Sequence, residues 1–328
     1  MAKTGRRAGA RGKAGTAEIG HMRTMIWVLG AMMIATLALS PASAGDVSYP
    51  PQVHDPNALD RTFETDFGPV RVIRFKGETK PAVLFIHGDI LPQTGKKAQE
   101  ANDNSTFQDF TTGLEGWART THKSFYLIIR PGMLGSHGEE KDRHSRFHYL
   151  AITQAIHKII AADHLGDVAL AGQSGGAMAG MASLILSPDY HVRCAALQSG
   201  NYFMYMSLQF QRSLEAGKAA EDYHPTELAL RPYSTWMETN DRVYDIATHL
   251  DALKLDPLVE ISLLHSRRDQ IVPFPSSQKL YERLVNRGVK ARLIEIEGKS
   301  PSFHGVVSQT FWTAVRCLDR TTAALPSR

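Results

Sequence analysis

Three side chains with complementary chemistry occur in the order Ser174, Asp269 and His304. A serine hydroxyl is a weak nucleophile near neutral pH, so it needs a histidine that takes its proton and later returns it to the leaving group. A carboxylate beside that histidine orients the imidazole and stabilises its charged form. The residue types therefore predict acyl transfer, with Ser174 as nucleophile, His304 as base and Asp269 as acid.

The serine stands in a glycine-rich turn, Gly-Gln-Ser-Gly-Gly at positions 172–176, which matches the pattern Gly-x-Ser-x-Gly. The apolar residues before this turn predict a short buried strand, and the small residues after it predict a helix. A serine at so sharp a turn projects its hydroxyl clear of the sheet, and the backbone N–H of Gly175 can face a developing oxyanion. Because a glycine and serine loop can match this short pattern by chance, the prediction depends on the rest of the chain.

A second oxyanion donor is predicted on a loop that follows another buried strand. Residues 81–86 form an apolar run that leads into His87 and Asp89. In an open α/β sheet the ligand crevice lies at the carboxyl ends of the strands, so the backbone N–H of Asp89 can face that of Gly175. We interpret His87 as a structural histidine that fixes the loop. A carboxylate beside an oxyanion would oppose it, so we expect Asp89 to point away, toward Arg130 or a cationic part of the substrate.

The acid and the base also follow predicted strands. A strand ending at His265 precedes Asp269, and another strand precedes the loop that delivers His304. The interval between the acid and the base fits one helix and one strand. Asp251 and Asp256 are rival acids, but both come before the first of these strands and would emerge at its opposite edge.

Strands and helices alternate along most of the chain. A hairpin is predicted over residues 62–75, and a helix is predicted over 105–120 with Ser105 as its cap. The further predicted strands are 125–130, 192–198, 258–265 and 290–296, and the further helices are 147–162, 276–286 and a closing helix after His304. This alternation predicts an α/β fold with a mostly parallel central sheet of about eight strands, flanked by helices.

An insertion from about residue 200 to residue 256 breaks this alternation. It is rich in aromatic residues and methionine, namely Tyr202, Phe203, Met204, Tyr205, Met206, Phe210, Tyr223, Tyr233 and Trp236. Such a segment predicts a helical cap over the crevice. The alternative is ordinary core packing of additional helices.

The first 44 residues predict a secretory signal peptide. Basic residues precede an apolar run over residues 25–39, and Ala42-Ser43-Ala44 follows as a cleavage site of the A-x-A type. Cleavage after Ala44 would leave a domain of residues 45–328 that is secreted or periplasmic, without stable membrane insertion. The alternative is an uncleaved N-terminal membrane anchor. Either Met1 or Met22 could be the true start.

Charge and cysteine content exclude several classes of protein. The formal net charge is +4, but the basic excess lies within residues 1–44, so nothing predicts a nucleic-acid partner. The two cysteines, Cys194 and Cys317, are too few for a disulfide scaffold, and neither has the setting of a nucleophile. Export would allow them to pair. Isolated buried cysteines are common, however, and the sequence favours unpaired thiols.

A polar loop offers an alternative, metal-binding interpretation. Its candidate ligands are His137, Glu139, Glu140, Asp142, His144 and His148, of which the last two could share a helix face. The segment lacks the ligand spacing of known zinc motifs, and charged loops are usually solvated surface. We therefore predict no metal and no cofactor.

The chain resembles the α/β-hydrolase superfamily over residues 62–318. The resemblance depends on the His87-Gly88 loop, the turn at 172–176, the Asp269 loop with Val272-Pro273, and His304. The pattern is most similar to the prolyl-oligopeptidase and dienelactone-hydrolase branch, although the chain has no room for a propeller domain. The resemblance implies an acyl-enzyme on Ser174 and a small-molecule or peptide acyl substrate.

Three hypotheses for function remain open at this stage. The first is an esterase, and the second is a small serine peptidase of the aminopeptidase or acylaminoacyl-peptidase kind. The third is a non-catalytic binding protein on the same scaffold. The third is disfavoured because no member of the serine, aspartate and histidine set is missing from the sequence.

Overall fold

A central sheet organises the computed structural model, which describes residues 49–90, 92–187, 191–230, 243–255 and 259–323. In chain order, the eight strands of the described residues are β1 (Ala58–Phe63), β2 (Val70–Phe75), β3 (Thr79–Ile86), β4 (Lys123–Ile128), β5 (Val168–Gln173), β6 (Val192–Gln198), β7 (Glu260–His265) and β8 (Lys290–Glu295). They lie side by side in the order β1-β2-β4-β3-β5-β6-β7-β8.

The sheet is antiparallel at one edge and parallel elsewhere. Strands β1 and β2 form the predicted hairpin, and β2 pairs with β4 in antiparallel fashion. From β4 through β3 to β8, every neighbouring pair is parallel. The carboxyl ends of β3, β5 and β7 therefore share one edge, from which the predicted oxyanion loop, serine turn and acid loop emerge. The mostly parallel α/β architecture predicted from the sequence is confirmed.

Helices cover both faces of the sheet. The α-helices within the described residues are α1 (Lys96–Thr121), α2 (Arg146–Ala162), α3 (Gly175–Leu186), α4 (Met204–Glu215), α5 (Ile246–His249), α6 (Phe274–Asn286) and α7 (Val307–Ala323). Side chains of α1 and α7 belong to one hydrophobic cluster, and side chains of α2, α3 and α6 belong to another. Successive residues of β3 enter the two clusters in turn, which explains its continuous apolar sequence.

A disulfide bond corrects the expectation of unpaired cysteines. Cys194 on β6 is bonded to Cys317 on α7, with Cα atoms 6.1 Å apart. The two residues are separated by 123 positions, so their contact depends on how α7 packs against the sheet. A cross-link over so long a loop stabilises the fold by roughly 5 kcal/mol in the chain-entropy model.

Helix α1 begins well before the predicted start at Ser105. It runs from Lys96, and Gly95 precedes it with φ 89°. The hydroxyl of Ser105 donates to the carbonyl of Asn102 within the helix, so Ser105 is not the cap. The prediction was wrong because the first turns are polar and the apolar periodicity starts only at Phe107.

The predicted cap insertion is described only in part. Its described elements are α4, α5 and short 3₁₀ helices at Ala220–Asp222, Glu227–Leu230 and Leu250–Ala252. Tyr223 packs against Phe210 with ring centroids 5.1 Å apart, and its hydroxyl donates to the carbonyl of Met206. Residues 231–242, with Tyr233 and Trp236, lie outside the described residues, as does the predicted signal peptide. Among the described helices, none has the length and apolar character to span a membrane.

Candidate active site

Ser174 stands in a strained turn between β5 and α3. Its backbone has φ 54° and ψ −122°, in a region that residues other than glycine rarely occupy. Glycines allow the chain to double back here. A Cβ on Gly172 would lie 2.5 Å from the backbone oxygen of Gly176, and a Cβ on Gly176 would collide with the backbone oxygen of Ile86. The N–H of Ser174 donates to the carbonyl of Gln198 at the end of β6, at 2.8 Å, which fixes the turn to the neighbouring strand.

Asp269 and His304 contact each other at the same edge of the sheet. Nδ1 of His304 lies 2.9 Å from Oδ2 and 3.0 Å from Oδ1 of Asp269. The N–H groups of Ile271 and Val272 also donate to Oδ1, at 2.9 and 3.0 Å. Burial alone would raise the pKa of Asp269, but hydrogen bonds from His265 and His304 lower it below its ordinary value. The ionised carboxylate therefore keeps the proton of His304 on Nδ1 and leaves Nε2 as the acceptor.

His265 is a buried residue of this region that sequence reasoning missed. Its Nε2 lies 3.2 Å from Oδ2 of Asp269 and 3.0 Å from the carbonyl of Val272. Because both neighbours of Nε2 are acceptors, we assign the proton to Nε2, and Nδ1 then accepts from the hydroxyl of Ser277 at 2.7 Å. The available signal was a histidine at the end of a buried strand, four residues before the aspartate.

The rival acid Asp251 lies away from the histidine. Its carboxylate is paired with Arg287 at 2.6 Å, and 94% of its side chain is exposed. Asp256 lies outside the described residues.

Gln198 connects the serine turn to the segment that follows the histidine. Its backbone carbonyl binds Ser174. With its amide oriented to satisfy its neighbours, its side-chain oxygen accepts from the N–H of Val306 at 2.6 Å, and its nitrogen donates to the hydroxyl of Thr310 at 2.6 Å. No hydrogen bond joins the hydroxyl of Ser174 to the imidazole of His304 in the described structure. In hydrolases without substrate such bonds are often long and tighten when substrate binds.

The predicted oxyanion loop packs against the serine turn. A Cβ on Gly88 would lie 3.1 Å from Cβ of Ser174, and a Cβ on Gly175 would lie 2.7 and 2.9 Å from the carboxylate oxygens of Asp89. Among the described residues, none accepts a hydrogen bond from the N–H of Gly175 or from that of Asp89. Two backbone donors are therefore available beside the serine, as oxyanion binding requires.

His87 has the contacts expected of a histidine that fixes this loop. Its Nε2 accepts from the N–H of Arg130 at 3.1 Å, and its Nδ1 donates to the carbonyl of Gly88 at 2.7 Å. Burial, together with the charge of Arg130, lowers the pKa of His87 to about 3. The imidazole is therefore neutral and can keep both hydrogen bonds.

Arg130 lies buried behind the loop, and its guanidinium contacts the side chains of Asp89 and His148. Its Nη1 donates to Oδ1 of Asp89 at 2.6 Å, and its Nε donates to Nε2 of His148 at 3.3 Å. Nε2 of His144 lies 3.5 Å from the other oxygen of Asp89, Oδ2. Burial alone would raise the pKa of the Asp89 carboxyl, but Arg130 and His144 hold it well below its usual range. Asp89 thus contacts Arg130, one of the two partners expected from the sequence, but its oxygens also lie close to Gly175, so the side chain is not turned away from the predicted oxyanion donors.

His144 and His148 of the polar loop do not share a helix face. Helix α2 starts at Arg146, and the hydroxyl of Ser145 caps it by accepting from the N–H of His148 at 3.1 Å. His144 precedes the cap with φ 69°, so it lies outside the helix. Within the described ranges, no cluster of three histidine, cysteine or acidic side chains could hold a metal ion.

Solved structures of several hydrolases have a similar fold. Esterase Pf2001 of Pyrococcus furiosus gives a TM-score of 0.53 at 13% identity, over 80% of this chain and 92% of that chain. An arylesterase gives 0.53 at 13% identity, over 81% and 83%. The acylaminoacyl peptidase of Pyrococcus horikoshii gives 0.51 at 14% identity, over 81% of this chain but 41% of that chain. The chain has the α/β-hydrolase fold, as its sequence resemblance implied.

At these identities, structural likeness defines the fold and not the reaction. No protein-family model matches the sequence, and no curated protein matches it either. The chemistry must therefore be argued from the side chains of the site.

Proposed function

We propose that this protein is a serine hydrolase that cleaves a carboxylic ester or a related acyl bond. The observation that carries the proposal is the Asp269–His304 hydrogen bond, which forms at the sheet edge where Ser174 occupies a strained glycine turn. The similar solved structures include two esterases and a peptidase, which supports the same class of reaction.

In the proposed mechanism, Nε2 of His304 accepts the proton of Ser174 as the hydroxyl oxygen attacks the acyl carbon. Asp269 stabilises the imidazolium that forms. The N–H groups of Gly175 and Asp89 bind the oxyanion of the tetrahedral intermediate, each lowering the barrier by about 3 kcal/mol. The imidazolium then protonates the leaving group, and water releases the acyl group from Ser174 by the same steps in reverse. No step in this sequence needs a cofactor.

A small serine peptidase is the second candidate. It is favoured by the similarity to the acylaminoacyl peptidase, although this chain spans less than half the length of that protein. Ester and amide hydrolysis use the same nucleophile and base, so only substrates separate the two candidates. Rates on p-nitrophenyl esters and on aminoacyl-anilides, measured with one preparation of residues 45–328, would decide between them.

The central test is covalent labelling with a fluorophosphonate. We expect the wild-type protein to be labelled on Ser174 and the Ser174→Ala variant to show neither label nor turnover. Ser199→Ala is the matched control, because Ser199 is buried, also has positive φ (52°), and directly follows the neighbouring strand β6. Full activity in Ser174→Ala would refute the assignment. Absence of label and turnover in the wild type would leave the non-catalytic binding protein as the better hypothesis.

Export is the second part of the proposal. The predicted signal peptide motivates it, and the Cys194–Cys317 bond supports it, because disulfides persist mainly in oxidising compartments. We expect the exported protein to begin at Gly45, which N-terminal sequencing or intact mass would establish. If the protein retained residues 1–44 and was recovered in the membrane fraction, the uncleaved anchor would be favoured instead.

A further inference from the structure

The carboxylate of Asp89 lies beside the proposed oxyanion donors, where a negative charge does not favour acyl transfer. A Cβ on Gly175, one residue after the serine, would lie 2.7 and 2.9 Å from the two carboxylate oxygens of Asp89 and 2.4 Å from Nη1 of Arg130, which is bonded to one of them. The N–H groups of Gly175 and Asp89 are the proposed oxyanion donors. A negative charge at this distance opposes the charge that develops on the substrate oxygen. The carboxylate of Asp89 must therefore have a function other than oxyanion stabilisation.

Asp89 is the partly exposed charged partner of the Arg130–Asp89 ion pair beside Ser174. Its side chain is 32% exposed, whereas that of Arg130 is completely buried. The nearby cation Arg143 is paired with Glu140 at 3.0 Å. A substrate that approaches the serine therefore meets an ionised carboxylate and not a guanidinium.

The cluster is built so that this carboxylate stays charged and immobile. Arg130 binds Oδ1 from behind, and His144 lies 3.5 Å from Oδ2. Arg130 is itself fixed by its bond to His148, and its backbone N–H holds His87 at the start of the loop. The buried guanidinium also offsets part of the field that Asp89 would exert on an oxyanion.

We propose that Asp89 is a specificity residue that binds a cationic ammonium group of the substrate close to the scissile acyl bond. The proposal rests on the proposed function of the same site. If the N–H of Asp89 binds the acyl oxygen, only the short side chain of Asp89 separates its carboxylate from the bound acyl group. An ammonium a few bonds from that carbon can then reach it. Attraction between the two charges is stronger in a partly desolvated cleft than in water.

The same geometry predicts discrimination against anionic substrates. A carboxylate on the substrate near the scissile bond would face Asp89, while the side chain of Arg130 is completely buried and binds Asp89 and His148 through Nη1 and Nε. The preferred order is therefore cationic, then neutral, then anionic.

The first experiment measures charge preference in the wild-type protein at low ionic strength. On the acyl side, ethyl esters of β-alanine, butanoic acid and succinic acid (as the monoester) offer an ammonium, a methyl and a carboxylate at similar positions. On the leaving-group side, the acetates of choline and of 3,3-dimethylbutanol differ only in charge. We expect kcat/KM to favour the cation by about tenfold in one of the two sets, and to lose part of this preference in high salt. Equal kcat/KM for cationic and neutral members of both sets would overturn the proposal.

The second experiment compares Asp89→Asn with a matched control. The substitution keeps the backbone N–H and removes the charge, and we expect the ratio of cationic to neutral kcat/KM to fall to about one. Asp60→Asn is the control, because Asp60 also pairs with an arginine, Arg71, at 2.6 Å and is 37% exposed, but lies on β1. The control should keep the wild-type ratio. A ratio that Asp89→Asn leaves unchanged, whatever its effect on absolute rates, would mean that the carboxylate only positions the loop.

These outcomes distinguish a failure of the proposed role of Asp89 from a failure of the proposed hydrolase function. A wild-type protein that hydrolyses esters and is labelled on Ser174 without charge preference would overturn the role of Asp89 alone. A protein with no turnover and no label would overturn the proposed function and this inference together. If Asp89→Asn does not fold, the wild-type substrate sets and their salt dependence still decide the question.

Discussion

Asp269 is shared between two histidines with different tasks. His304 is partly exposed and keeps Nε2 toward the cleft, whereas His265 is buried and donates to the same carboxylate from β7. Two backbone N–H groups complete its shell. This arrangement fixes the direction of the carboxylate independently of His304, so the imidazole can move toward the serine without loss of its orienting partner.

Replacing Asp269 with asparagine should abolish most activity while substrate binding survives. An amide can present a donor to Nδ1 of His304 and so favour the wrong tautomer, which costs about 10³- to 10⁴-fold in kcat. Steady-state kinetics on a good ester would measure this, with Asp251→Asn as the surface control. If Asp251→Asn showed this loss and Asp269→Asn remained active, Asp251 would be the acid and the assignment of Asp269 would be wrong.

His87 should make the fold sensitive to acid. Burial lowers its pKa in the folded protein to about 3, whereas an unfolded histidine titrates near its ordinary pKa of about 6.5. Between these values the unfolded chain binds the extra proton, so the free energy of unfolding falls as the pH decreases. From pH 7 to pH 5 the contribution of this one residue is a loss of about 2 kcal/mol.

Urea unfolding of His87→Gln at pH 7 and pH 5 would measure that contribution. We expect the variant to be less stable than the wild type at pH 7 but to lose about 2 kcal/mol less on acidification. His191→Gln, at an exposed histidine, should keep the wild-type pH dependence. An unchanged pH dependence in His87→Gln would show that the buried imidazole does not cause it.

Sequence reasoning reached the residues whose chemistry has a local pattern. The glycine turn predicts Ser174 as nucleophile, and the apolar runs before them predict Asp269 and His304 as acid and base. His265 and Gln198 were missed because their roles depend on partners in other elements, Ser277 for the first and Thr310 for the second. A histidine or glutamine at a strand end carries no signal of such a partner.

At the scale of elements, the serine turn depends on the close approach of β3, β5 and α3. Gly176 packs directly on the backbone oxygen of Ile86, at the end of β3. This contact brings the oxyanion loop that follows β3 against the first turn of α3.

A methyl group at this contact should be strongly destabilising. We expect Gly176→Ala to lower the free energy of unfolding by at least about 2 kcal/mol, because backbone must move to admit the Cβ. Gly113→Ala is the control, since a Cβ there meets nothing within 4 Å and replaces glycine inside α1. It should stabilise the protein by about 0.5–1 kcal/mol. Chemical denaturation of both variants checks the contrast, and equal stabilities would contradict the packing argument.

The predicted elements differ from the described ones mainly where apolar periodicity is absent. The central strands could be located because residues buried on both faces form continuous apolar runs, as in β3. The first turns of α1 are polar and mostly exposed, so no periodicity marked their start at Lys96. The insertion from about residue 200 to residue 256 could be recognised as a segment, but its fold could not be predicted, because its aromatic side chains pack on one another, as Phe210 does on Tyr223.

For the whole molecule, the disulfide bond joins the last helix to the centre of the sheet. Cys194 and Cys317 are both buried, and the pairing of residues so far apart in sequence could not be predicted without the packing of α7. Replacing both by alanine should lower the free energy of unfolding by about 2–5 kcal/mol. Thermal unfolding with and without reductant would show this loss in the wild type and little change in the double variant. A wild-type melting temperature that reductant leaves unchanged, with the bond shown to be broken, would contradict it.

The dual attachment of Gln198 has a consequence for how this site can evolve. Its carbonyl holds the nucleophile turn, and its amide holds the backbone two residues beyond the imidazole. The separation of the two reacting groups is thus set by the pairing of β5 with β6, through a residue that need never touch a substrate. A slip of that pairing by one position would separate the proposed nucleophile from the proposed base while leaving Ser174, Asp269 and His304 in the sequence. An intact Ser-Asp-His set in a distant relative would therefore not by itself guarantee an active enzyme.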